Sequence, residues 1–269
     1  MLNLEKKEPL ELSLIDDSDY NIVTRGYTVI EDFLKLDEVF LLKKGIQIGI
    51  ENYKVIDVSE RSLLDKYQLH DLMIKDINFA KLLEDHRLQQ LVAPHLGKHW
   101  IMYAMTSSSI PPYGENYAAR LHVDCPRFHP GYIFNMGMIW ALDDYTVDNG
   151  ALKILPGSQH SDISPRFDFF EENAVQVLCK AGSLILFNAK TYHRTCINNT
   201  NEWSHSMTLN ACRSYMKPRM DWVKFIPQNI SNQLNEQARR LIGFDTRIPS
   251  SLEEFFVPEE LRLYKANQG

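Results

Sequence analysis

Apolar positions follow two rhythms along this chain, helical in the first third and strand-like in the middle. Residues 1 to about 20 are polar and acidic, closing on Asp16-Asp17-Ser18-Asp19, and are expected to form a mobile lead-in. Gly26–Ile30 reads as a short strand. Asp37 is expected to cap a helix to about Glu51, with Val39, Phe40, Leu42 and Ile46 as its apolar stripe. A second helix is expected over about Asp71–Val92, where Ile74, Ile77, Leu82, Leu88 and Leu91 recur at helical spacing, closed by Pro94 and Gly97. From Trp100 the texture changes to short strands separated by turns: Trp100–Met105, Arg120–Asp124, Ile133–Leu142, Ala151–Leu155, Val175–Cys179, Gly182–Asn188 and Ser204–Ser214. Strands at this density suggest a sandwich or jelly roll rather than βαβ units. Helix returns after Ser231, with Leu234, Ala238 and Leu241 on one face and Gly243 as its cap. Ser251-Leu252-Glu253-Glu254 reads as a capping box and Lys265–Gly269 as a tail.

Composition narrows the function. The chain has 269 residues, 44% of them hydrophobic, enough for a substantial core. Its net charge of −6, without a basic cluster, argues against a nucleic-acid surface. No apolar run approaches the roughly 20 residues of a membrane span, and the first residues lack the apolar stretch of a signal peptide. Cys125, Cys179, Cys196 and Cys212 form no CxxC motif, so a reduced, cytoplasmic setting is expected. Cys125 reads as a packed residue facing away from Asp124.

The chemistry concentrates in Arg120-Leu121-His122-Val123-Asp124 and Thr191-Tyr192-His193-Arg194. A His-x-Asp pair with one distant His is the ligand set of the 2-His-1-carboxylate facial triad, the usual seat of non-haem Fe(II). Alternate side chains of a strand share a face, so His122 and Asp124 can meet one ion while Val123 packs behind them. His70, His86, His95 and His99 read as surface or packing residues.

Further motifs then extend the pattern. They are Trp140-Ala141-Leu142-Asp143-Asp144, the run Asp148 to His160 with Asn149-Gly150 and Pro156-Gly157-Ser158, Ala181–Phe187, and His193–Thr200. In order and spacing the chain from about Gly26 to Tyr215 resembles the phytanoyl-CoA dioxygenase-like family of Fe(II)/2-oxoglutarate oxygenases. The resemblance implies a single domain over 1–269, mainly β with flanking helices and a double-stranded β-helix (jelly roll, cupin-like) core. Its expected parts are a helical stretch at about 31–97, the core at about 100–215 and a helical extension at about 228–269. It further implies Fe(II) on His122, Asp124 and His193, with 2-oxoglutarate and O2 as co-substrates, and places Met105, Trp140 and Thr195 at the 2-oxoglutarate site.

One departure stands out. The family carries an arginine eleven residues after the distal His, for the far carboxylate of 2-oxoglutarate; here that position is Ser204, followed by His205. Two registers are open for this strand. Either Ser204, Ser206, Thr208 and Asn210 face inward, or His205, Met207, Leu209, Ala211 and Arg213 do. The second set, cationic at both ends, makes His205 the favoured replacement and Arg213 the longer-reach alternative.

The function expected is Fe(II)- and 2-oxoglutarate-dependent hydroxylation of a small organic molecule, an acyl compound, amino acid or specialised metabolite. Desaturation or cyclisation at the same site, or a metal-binding jelly roll without 2-oxoglutarate, are the alternatives. Substrate choice is expected in loops such as Ser107–Tyr117, Pro126–Tyr132 and Ser161–Glu172, where Arg127, Arg166 and Lys190 could meet an anion. The excursion from His160 to Ala174 is expected to be a mobile lid or substrate-facing loop, its Phe167, Phe169 and Phe170 among charges suiting an apolar ligand or a folded-back packing cluster.

Overall fold

The computed structural model describes residues 1–4, 6–54, 67–245 and 248–262. The expected tail at Lys265–Gly269 lies outside them. Helix α1 covers Leu12–Thr24 and packs on strand β1, Tyr27–Ile30. The expectation of a mobile lead-in is corrected here. Ile22 of α1 is fully buried, Leu2 and Leu4 join the main core, and Asp19 pairs with His95 at 3.0 Å. Isolated apolar residues in a polar stretch were enough to anchor it, because tertiary burial overrides local polarity.

Helix α2, Leu36–Glu51, ends where expected but begins before the expected cap: Asp37 lies in its first turn, Lys35 is the N-cap, and the Glu38 carboxylate accepts the Lys35 backbone N–H. The single helix expected from Asp71 is instead broken. Short turns at Leu72–Lys75, Ile77–Lys81 and Leu82–Glu84 precede helix α3, Arg87–Leu96. Asp76 accepts from Asn78 N–H and Asp85 from Arg87 N–H, and such local bonds compete with the helical ladder. Gly97, at φ +86°, ends α3; Pro94 lies inside its last turn rather than closing it.

Strand β2 runs Ile101–Ile110, longer than expected, absorbing Ser107–Ser109. Then come β3 (Asn135–Ala141), β4 (Leu152–Ile154), helix α4 (Phe167–Asn173), β5 (Val175–Gln176), β6 (Leu184–Asn188), β7 (His193–Thr195) and β8 (Ser204–Cys212). All pairings are antiparallel, in a five-stranded sheet ordered β1-β6-β3-β8-β2 and a three-stranded sheet ordered β5-β4-β7. The two sheets form the jelly roll. Helix α5, Glu236–Ile242, is capped by the Asn235 side chain and ended by Gly243. Among the described residues no helix is long and apolar enough to cross a membrane.

The large sheet has two different faces. Met136, Met138, Trp140, Leu184, Leu186, Met207, Leu209 and Ala211 share one cluster with the helices. Ile139, Ala141, Ile185 and Phe187 point the other way and meet Leu152 and Ile154 of the small sheet. That second cluster is the interior of the roll.

Candidate metal centre

His122 and Asp124 sit on a segment that makes only one bridge to the small sheet, not the regular strand expected. His122 and His193 exchange both backbone hydrogen bonds, each at 3.0 Å. This local pair places the two imidazoles side by side, ring centres 4.3 Å apart. Asp124 Oδ1 is 3.6 Å from His122 Nε2 and 3.8 Å from His193 Nε2, and the three donor atoms lie within 4.8 Å of one another. No other group of three or more His, Cys, Asp or Glu among the described residues converges in this way.

Neighbouring groups orient each donor. His122 Nδ1 is 2.7 Å from the Arg120 carbonyl and His193 Nδ1 is 2.9 Å from the Thr191 carbonyl. A carbonyl only accepts, so both Nδ1 atoms carry the proton and both Nε2 lone pairs are left for a ligand. Asn210 donates to Asp124 Oδ2 at 2.8 Å, leaving Oδ1 toward the imidazoles. Phe187 stands edge-on to His193 with ring centres 4.9 Å apart. Gly137 permits this, since a Cβ there would lie 2.0 Å from the Phe187 ring.

The electrostatics suit cation binding. Burial would raise the Asp124 carboxyl, but the two adjacent imidazoles and the Asn210 amide hold it at about 2. Burial, reinforced by His122, lowers His193 to about 4. Near neutral pH the centre therefore holds a carboxylate and a neutral His193. One carboxylate oxygen and two imidazole nitrogens, all within 4.8 Å of one another, are the donor set a first-row divalent ion takes. The residues present fit such an ion.

The register of β8 is decided by Asn210. Because its side chain reaches Asp124, Ser204, Ser206, Thr208 and Asn210 face the interior, the first of the two registers. The preference for the second is corrected. Met207, Leu209 and Ala211 lie in the helix-packed cluster, and so do the expected co-substrate contacts Met105, opposite Leu209, and Trp140, opposite Met207. His205 is 2% exposed on that same face, bonded through Nδ1 to Ser109 Oγ at 2.9 Å and stacked on Trp203. Burial pushes it down to about 4. Arg213 spends its guanidinium on the carbonyls of Ile133, Leu96 and His95. Neither is aimed at the centre.

Thr195 remains inside, opposite Leu152, its hydroxyl donating to Asn116 Oδ1 at 3.2 Å. Beside it the wall consists of Thr106, Ser108, Ser204, Ser206 and Thr208, paired across β2 and β8. Sequence reasoning missed Asn210 as a partner of Asp124 and Asn116 as a partner of Thr195. The even-numbered alternation in β8 was the signal for Asn210. Arg127 and Lys190 share a cavity of about 80 Å³ with Phe128, Tyr132 and Asn135, whereas Arg166 pairs outward with Asp168.

Comparison with known proteins bears on this geometry. The model of the phytanoyl-CoA dioxygenase family matches residues 22–206. The chain belongs to the phytanoyl-CoA dioxygenase family. As a member it is a 2-oxoglutarate-dependent non-haem iron dioxygenase, with Fe(II), 2-oxoglutarate and O2 as the family's cofactor and co-substrates. An uncharacterised protein of Mycobacterium tuberculosis is 27% identical over 254 residues, covering 91% of this chain and 92% of that protein. A dioxygenase of Alternaria alternata is 26% identical over 160 residues, covering 58% of this chain and 52% of its own length. The fold matches that of EctD from S. alaskensis, crystallised with 2-oxoglutarate and 5-hydroxyectoine, at a TM-score of 0.62 and 20% identity over 77% of each chain. It also matches the epimerase SnoN, crystallised with Fe3+, alpha-ketoglutarate and nogalamycin RO, at 0.60 and 16% identity over 75% of this chain and 84% of that one.

Proposed function

We propose that His122, Asp124 and His193 hold the iron of this family member and that the chain hydroxylates a small organic molecule. The observation that carries the reading is the convergence of three donor atoms within 4.8 Å, two of them imidazole nitrogens whose partner nitrogens are tied to carbonyls. Bound there, iron with 2-oxoglutarate and O2 supplies oxidation of a substrate C–H bond. The chain's own part is placement. Asp124 contributes one negative charge and both histidines contribute neutral donors. Asn210 stops the carboxylate from rotating. Phe187, edge-on to His193 and backed by the apolar cluster of Ile139 and Ile185, keeps water from that side of His193.

Among the expected co-substrate residues, interior Thr195 and Ser204 remain candidates, with Ser206, Thr208 and Thr106 beside them. None of the residues facing inward from β2 and β8 is cationic, so hydroxyls and amides meet the far carboxylate of 2-oxoglutarate. The cavity shared by Arg127, Phe128 and Lys190 contains none of the three candidate ligands, and Lys190 is paired there with Asp162 at 3.2 Å.

The test is direct. Protein loaded anaerobically with Fe(II) receives 2-oxoglutarate and O2, and succinate is measured with and without candidate molecules. Substrate-stimulated succinate with a hydroxylated product supports the reading; His122→Ala protein with undiminished output would falsify it. Because SnoN is an epimerase, product analysis also has to separate hydroxylation from other oxidative outcomes.

A further inference from the structure

The segment after Ser161 contains α4, which lies behind the candidate ligands rather than over them. Phe170 is fully buried and shares a small cluster with Leu155 and Tyr192, against which Leu121, Val123 and Ala174 pack. Three of these apolar partners are sequence neighbours of a candidate ligand, and a fourth adjoins its strand partner. Leu121 and Val123 flank His122, Val123 also precedes Asp124, Tyr192 precedes His193, and Leu155 follows Ile154, which pairs with His193. Alternation explains the arrangement: His122, Asp124 and His193 turn to the interior, and the residues between them turn outward onto one phenyl ring.

The next residue of α4 adds an electrostatic clasp. Lys153 and Arg194 stand directly opposite each other on β4 and β7, a like-charge pair that destabilises a sheet. Glu171 answers both, accepting from Lys153 Nζ at 2.6 Å through Oε2 and from Arg194 Nε at 2.9 Å through Oε1. Arg194 also donates to the Ala119 carbonyl at 3.3 Å, reaching the turn before Arg120. The His122 segment belongs to no regular ladder: one bridge to His193, the Cys125 N–H on the Ala189 carbonyl at 2.9 Å and Asn210 on Asp124 tie it, and the packing behind it completes its placement.

We infer that α4 is a brace, with Phe170 and Glu171 as positioning residues that set the spacing of His122, Asp124 and His193. The inference rests on the ligand assignment above and goes beyond it. A free-standing lid would leave metal affinity unchanged on loosening; a brace links the two. By reciprocity, metal binding must also tighten α4.

The experiment titrates Mn(II) alone into the full-length metal-free protein by calorimetry, comparing wild type with Phe170→Ala, Phe170→Leu, Glu171→Gln and Phe79→Ala. Phe79 is a fully buried phenyl in the helix-packed cluster, so Phe79→Ala reports a general loss of stability. Phe170→Ala is expected to weaken Mn(II) by about 10- to 100-fold, the range for outer-shell partners of metal ligands. Phe170→Leu should recover most of that loss, and Phe79→Ala should stay within about twofold of wild type. Glu171→Gln, partly exposed and compatible with folding, should weaken Mn(II) severalfold. In wild type, saturating Mn(II) should slow amide exchange across residues 168–174. Equal weakening by Phe170→Ala and Phe79→Ala would overturn the brace, as would unchanged affinity in Glu171→Gln with exchange at 168–174 indifferent to Mn(II). If wild type and His122→Ala bind Mn(II) alike, the ligand assignment falls first, and the brace with it.

Discussion

The two faces of β8 do opposite work within nine residues. Met207, Leu209 and Ala211 vanish into the helix-packed core, while Ser204, Ser206, Thr208 and Asn210 give the roll a polar inner wall. Ordinary jelly-roll logic would make the inner wall the drier one. Here the interior near Ile139 and Phe187 is apolar, but the β2–β8 side is hydroxyl and amide. A polar wall inside a roll is stable only where water or a ligand satisfies it, and Thr106, Ser108, Thr208 and Asn210 are indeed only half-buried. The outer face therefore packs the core, and the inner face presents polar groups beside the candidate metal centre.

The contrast can be broken most decisively at the ligands. His122→Ala and Asp124→Ala should both reduce metal-dependent succinate formation to the level of metal-free protein while circular dichroism stays native. Retained turnover in either would remove the centre from this wall. Next in size, Leu209→Ala on the outer face should cost about 2–5 kcal/mol by leaving a cavity in a packed core. Denaturant melts measure it, and a loss below 1 kcal/mol would mean the outer face is not the load it resembles.

His205 gives the outer face a pH signature. Its proton affinity is lowered by burial, so below the unfolded pKa of about 6.5 the unfolded chain takes up a proton that the folded chain refuses. Stability should therefore fall as pH drops from about 6.5 toward 4, by roughly 2–3 kcal/mol, and His205→Asn should flatten that slope. The same variant should leave dependence on 2-oxoglutarate unchanged. A raised KM for 2-oxoglutarate in His205→Asn would return that histidine to the inner wall.

Smaller effects sharpen the inner face. Asn210→Ala should weaken metal binding by about 10- to 100-fold, because Asp124 Oδ2 loses its donor. Thr208→Ala, two residues away, should change stability by less than about 1 kcal/mol while raising the KM for 2-oxoglutarate or substrate. If it instead destabilises as much as Leu209→Ala, the two faces are energetically alike and the comparison fails.

Much of this was legible along the chain. Alternation in Ile133–Leu142 and Gly182–Asn188 marked the central strands, and His122-Val123-Asp124 with His193 marked the centre, because a metal set needs particular side chains at a particular spacing. The motif residues around Asn149 and Asp144 turn out to hold loops: Asn149 bonds Thr146 N–H and the Asp144 carbonyl, and Asp144 bonds Ala181 N–H. The excursion at 160–174, expected as a mobile lid or substrate-facing loop, is divided: Phe170 is packed without exposed surface, while Phe167 and Phe169 are 57% and 52% exposed.

By itself the sequence determined the fold family, most of its strands and the three donors that converge, since each depends on local periodicity or residue chemistry. Only the tertiary structure decided which face of β8 is inside. A one-residue slip inverts every side chain of a strand, and polar–apolar alternation reads equally well from either side until a partner is placed. Asn210 reaching Asp124 made that choice, and it moved His205, Trp140 and Met105 out of the site together. The early segment was decided the same way, because Leu2, Leu4 and Ile22 find their burial only against residues distant in the chain.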